Sequence, residues 1–150
     1  MAQSIKCGIN IVAAYSLVDE MSELTDYLNQ TFGLTFSEGV GDNQINLVFH
    51  DERPLAKGAT ENPVIEFHAG GLTNKVGQSI TMDRFKFLLV KNNSTDSTLI
   101  VGGDANNLAI FTEAADKEVI QPLGVKLFLA PVDGINCETD AKLKMEHGDE

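Results

Sequence analysis

Tryptophan is absent from this chain, and tyrosine occurs only twice in 150 residues. Surfaces that bind sugars or single-stranded nucleic acid rely on flat aromatic platforms, so such surfaces have little to build on here. Cysteine is scarce as well. Cys7 and Cys137 stand alone near opposite ends, no CxxC pair occurs, and His50, His68 and His147 form no HxxxH pair. Structural zinc takes a full tetrahedral set from closely spaced ligands, so no metal site is expected. A disulfide between Cys7 and Cys137 would require the two end segments to be neighbours. Two separate thiols in a reducing cytoplasm is the favoured reading.

Positive charge is also in short supply. Eleven Lys and Arg face 22 Asp and Glu, a formal net charge of −11, and the basic residues form no run. Nucleic acid and anionic membranes are read by clustered basic side chains, which argues against both as partners. The N-terminal Met1-Ala2-Gln3-Ser4-Ile5-Lys6 lacks the basic and apolar regions of a secretory signal. No run approaches the ~18 apolar residues that a membrane helix needs. The chain is therefore expected to be synthesised and assembled in cytosol, where the Asn93-Ser94-Thr95 sequon serves as a turn. At 43% hydrophobic residues the chain has material for a sizeable core.

The apolar residues alternate more often than they recur at helical spacing. Ile5, Cys7, Ile9, Ile11 and Ala13 fall on odd positions, as in a half-buried strand. Leu28, Phe32, Leu34 and Phe36 imply a second strand over 28–37. Residues 17–27 fit either a strand or a helical stripe through Leu17, Met21, Leu24 and Leu28. Further strands are expected at 45–50, 64–67, 80–91, 98–101, 108–111, 118–121, 125–130 and 141–145, each bounded by Gly, Pro, Asp or Asn. Pro54 ends the 45–50 strand and Gly70-Gly71 the 64–67 strand. Phe85-Lys86-Phe87-Leu88-Leu89-Val90 is apolar on both parities, which suggests a strand covered on both faces and paired as a hairpin with 98–101. Eight or more short strands without a convincing long helix predict an all-β fold, a single-domain β-sandwich or jelly-roll-like barrel over 1–150, with 1–35 as N-terminal strands or an arm.

Candidate chemistry is thin. His50-Asp51-Glu52 with Asp42 is the densest set of titratable groups, but it reads as a solvated strand end with Arg53 paired to Asp51 or Glu52. Gly102-Gly103-Asp104-Ala105-Asn106-Asn107 offers oxygen donors without the closing bidentate carboxylate that a calcium loop requires. It also lacks the Lys-Ser/Thr of a phosphate cradle, and so reads as a turn. No GxSxG surrounds Ser79, Ser94 or Ser97, and His68 reads as an edge residue. No converging set is singled out, so the chain reads as a non-enzyme without catalytic, cofactor-binding or metal residues.

Several segments carry a resemblance. They are Phe36-Ser37-Glu38-Gly39-Val40-Gly41-Asp42-Asn43-Gln44-Ile45-Asn46, Val48-Phe49-His50-Asp51-Glu52-Arg53-Pro54-Leu55-Ala56, and Gly71-Leu72-Thr73-Asn74 with Gly77. Phe85 to Asn92, Leu99-Ile100-Val101-Gly102-Gly103, Gln121-Pro122-Leu123-Gly124 and Ala130-Pro131-Val132-Asp133-Gly134 complete it. Together they resemble a family of small virion proteins of tailed bacteriophages and prophages, in which the usual Pro-Gly-Gly turn here reads Pro122-Leu123-Gly124. The resemblance implies a short β-rich structural protein of the virion. Its first expected role is capsid decoration or cement, bound as a homodimer or homotrimer to the major capsid protein on the head surface. The alternative is a tail or baseplate module that attaches to a host-surface glycan. Contacts are expected on the loops 39–43, 92–97 and 102–107.

Overall fold

The computed structural model describes residues 5–19, 22–57, 64–68, 72–73, 77–139 and 141–148. All its regular structure is β, and among the described residues there is no helix. Two compact units divide the chain at residue 46.

The first unit is a long antiparallel ribbon. Strands β1 (Ile5–Asp19) and β2 (Ser22–Glu38) pair without a bulge from Ile5↔Phe36 to Asp19↔Ser22. This resolves the ambiguity over 17–27. Leu17 and Leu24 are cross-strand partners, so their helix-like spacing comes from the chain doubling back on itself. Beyond Glu38 the chain turns sharply, and β3 (Gln44–Ile45) pairs in parallel with Ser37 and Glu38. Asn43 holds that turn at φ 53°, a conformation that asparagine tolerates well.

The second unit is sandwich-like. Its largest sheet has the order β10-β9-β13-β4, built from β4 (Val64–Glu66), β9 (Leu99–Gly102), β10 (Lys117–Ile120) and β13 (Lys142–His147). Three two-stranded ribbons accompany it. They join β5 (Leu72–Thr73) to β6 (Ser79–Ile80), β7 (Arg84–Phe85) to β12 (Ile135–Asn136), and β8 (Phe87–Lys91) to β11 (Val125–Leu129). One core collects Leu99, Val101, Ile120 and Leu143 from the large sheet with Leu72, Ile80, Phe85 and Val90 from all three ribbons. The Phe67 and Phe85 rings meet at 5.8 Å between centroids. The sheets do not close into a barrel among the described residues, as the short separate ladders show.

Several strand expectations are corrected. The expected strand over 45–50 ends at Ile45, and Leu47 and Phe49 pack on the core from an unpaired segment. The 80–91 element breaks into three strands, because the chain bends at residues 81–83 and again at Lys86. Leu108 and Phe111 are core residues supplied by a tight turn, with the Phe111 amide donating to the Leu108 carbonyl, and not a strand. Strand β8 pairs with β11, while β9 lies between β10 and β13, so 87–91 and 99–102 are no hairpin. The expected Gly70-Gly71 stop lies outside the described residues.

The outer face of the large sheet is charged and paired. Lys142 meets Glu66 at 2.9 Å, while Glu146 accepts from Lys117 at 2.8 Å and from Lys144 at 2.5 Å. Lys117, followed by Lys144, holds the Glu146 carboxyl below the ordinary glutamate range. A carboxyl with a depressed folded-state pKa stabilises the fold fully above that range and loses its contribution as pH falls through it. Thermal midpoints measured across the acid range should therefore drop, with a shallower slope in Glu146→Gln; identical slopes would show the cluster to be inert.

Candidate interaction surface

The expected chemical sites do not converge. His50, Asp51, Glu52 and Asp42 are all exposed, and Asp51 pairs with Arg53 as a surface ion pair. Among the described residues no group of three or more His, Cys, Asp or Glu side chains could hold a metal ion. His68 Nδ1 stands 3.1 Å from Asp83 Oδ1 without hydrogen-bond alignment. Cys137 is a free, buried thiol that donates to the Met82 carbonyl at 3.1 Å. Burial, with the Asp83 and Glu138 charges, pushes it up to about 11, so it is no nucleophile at neutral pH.

The three loops are held by hydrogen bonds, within themselves or to neighbouring turns. In 92–97 the buried Asn92 amide donates to the carbonyls of Ser97 at 2.7 Å, Ile120 at 3.2 Å and Gln121 at 3.2 Å. Its oxygen accepts from the Ser94 amide at 3.0 Å. The Ser94 and Ser97 hydroxyls both donate to Asp96 and hold its carboxyl below the ordinary range, so neither is poised as a nucleophile. In 102–107, Asp104 and Asn107 cap backbone amides of their own turn, and the Asn107 amide reaches the Glu113 and Ala114 carbonyls. The oxygens suggestive of calcium are thus engaged in turn structure. In 39–43 the Gly41 amide donates to Gln44 Oε1 at 2.9 Å, and Val40 stands 81% exposed at the apex.

The feature missed by sequence reasoning is the outward face of β8–β11. The register Phe87↔Leu129, Leu89↔Leu127 and Lys91↔Val125 puts these six residues on one face. The alternate residues Leu88, Val90 and Phe128 turn to the core. Leu89, Val125 and Leu129 are 50%, 54% and 42% exposed, and Lys91 is the face's only charge. Beyond the bend at Lys86, the apolar residues on both parities of 87–90 therefore mark one buried face and one open face. The open face spans about 17 Å by 10 Å on the usual strand dimensions.

Next to the Val125 end of this face, Leu123 is 61% exposed at φ 57°, where β-carbon crowding disfavours any L-residue. Its amide donates to the Ser94 carbonyl, which locks the strained turn onto the 92–97 loop. Leu123→Gly should raise unfolding stability by roughly 0.5–1 kcal/mol, since relief of left-handed strain outweighs the added freedom of the unfolded chain. A denaturant midpoint that falls would contradict this. A large apolar side chain kept exposed at a strained position is a feature of contact surfaces.

Comparison with family models, curated proteins and solved structures returned no match.

Proposed function

We propose that this protein decorates the capsid of a tailed bacteriophage, docking on the outer face of the major capsid protein shell and reinforcing contacts between capsomers. The observation that carries the reading is the open apolar face of β8–β11, opposite in character to the ion-paired outer face of the large sheet. A row of exposed apolar side chains on one face offers a surface on which a partner can bury apolar area. The hydrogen-bonded 92–97 loop beside it supports the same reading, because a preformed surface loses little conformational entropy on association. The motif resemblance to small virion proteins supplies the class of partner. The acidity fits as well, since net charge far from zero keeps a protein displayed in many copies from associating non-specifically.

Quantitative mass spectrometry of purified virions tests the assignment. A shell protein is present in hundreds of copies, whereas about six to a few dozen, as ring symmetry dictates, would make it a tail or baseplate component. Leu123→Gly, stabilising in solution, should weaken attachment to the shell.

A further inference from the structure

The open face of β8–β11 is small for a docking surface. At usual strand dimensions it covers about 170 Å², against the ~800 Å² that each partner of a stable complex commonly buries. Apolar burial on this face therefore needs a second source of affinity beside it.

The backbone of β11 supplies one. The Asn92 amide donates to the Gly124 carbonyl and the Ala130 amide to the Lys86 carbonyl, each at 3.0 Å, so the opposed pairs at the two ends of the β8–β11 ladder are hydrogen-bonded pairs. Along an antiparallel ladder such pairs alternate with pairs that exchange no hydrogen bond. Val125↔Lys91, Leu127↔Leu89 and Leu129↔Phe87 are the latter kind. The amides and carbonyls of Val125, Leu127 and Leu129 consequently point away from β8, along the outer edge of the ribbon. Among the described residues no strand pairs with that edge, and these amides and carbonyls make no other backbone hydrogen bond. An open edge is ordinarily blunted by proline, a bulge or an outward charge. Strand β11 has no proline and pairs without a bulge. Its one charged residue, Lys126, is turned to the other face, where it meets Glu118 at 3.1 Å and lies 5.7 Å from the centre of the Phe128 ring. The opposite edge, on β8, carries the exposed Lys91 among its outward residues.

We infer that the partner adds a strand to the outer edge of β11, an extended segment of the major capsid protein whose alternate, apolar residues continue the row formed by Val125, Leu127 and Leu129. The inference rests on the capsid reading and says how the shell is gripped. Three residues each offer one N–H and one C=O, so six groups line the edge. In strand addition the main chain supplies affinity, and pockets for alternate side chains supply specificity. A second copy is a poorer occupant, because two chains that each carry −11 repel one another.

Binding of Leu127→Pro and Leu127→Ala to stripped capsids, read by cosedimentation, is the test. Both shorten the same side chain. Only proline removes the outward amide and obstructs an incoming strand, and it does so at a position that an edge strand tolerates. Leu127→Pro should bind at least about 10-fold more weakly than Leu127→Ala, because a carbonyl of the partner loses its donor. Hydrogen exchange of the wild type gives a readout that does not depend on how either variant folds. The Val125, Leu127 and Leu129 amides should exchange fast in the free protein at every concentration and slowly on the capsid. Equal binding by the two variants, or fast exchange on the capsid, would overturn strand addition while leaving the docking face in place. Slow exchange that sets in as the free protein is concentrated would put a second copy on the edge and overturn it too. A wild type that fails to bind stripped capsids would instead overturn the capsid reading itself.

Discussion

Replacing Leu89 and Leu129 together by aspartate should lower affinity for the capsid surface by about 100-fold or more while moving the thermal midpoint by no more than a few degrees. Both side chains already meet solvent, so the folded chain loses little core packing. In the docked state the same positions are desolvated, and each new carboxylate would be buried without a partner, which is costly in any interface. Val119→Asp is the matched control. Val119 is 55% exposed on the charged outer face of β10–β9–β13, away from the open apolar row, so binding should not change. Capsids stripped of the protein and reloaded with each variant give the measurement by cosedimentation. Equal binding by all three proteins would rule out the β8–β11 face as the docking surface.

Two adjacent asparagines should respond very differently to alanine. Asn92→Ala should destabilise the fold by about 2–4 kcal/mol, because a buried side chain that serves several backbone groups is removed without replacement. The carbonyls of Ser97, Ile120 and Gln121 and the amide of Ser94 lose their partner together. Asn93 is exposed and reaches only Glu52, at 3.4 Å, so Asn93→Ala should stay within about 0.5 kcal/mol of wild type. Urea unfolding of both variants decides the matter, and equal midpoints would show that the Asn92 contacts do not hold the 92–97 loop to the 120–124 turn. A stiff loop is also a condition of the docking proposal, so Asn92→Ala should weaken attachment through added mobility without touching the apolar face.

The all-β class was legible because alternation and turn residues recur through the chain, and the 5–13 and 28–36 strands show it most cleanly. Partners were much less legible. Turn signals around residues 92–97 mark a reversal but do not choose which strand lies alongside, and tertiary packing gave β8 to β11 and β9 to β10 and β13. Apolar residues at 47, 49, 108 and 111 correctly signal burial, but they reach the core from irregular segments. Period reads which side of a segment is buried, not whether its amides are paired. Asn92 illustrates the opposite loss: asparagine in a polar turn carries no sequence signal for burial. For β8–β11 the doubled apolar pattern was visible, yet it has two physical causes, burial on both faces or one face left for a partner. Only the accessibility of Leu89, Val125 and Leu129 separates them.

The central claim, a decoration protein held to the shell by the outward face of β8–β11, is tested most directly by a cryo-electron density map of the intact virion. The account predicts density for this chain on the outer surface of the head, repeated with the capsid lattice, with Leu89, Leu127 and Leu129 against the major capsid protein. Density confined to the tail or baseplate, or a head-bound chain with that face open to solvent, would contradict it.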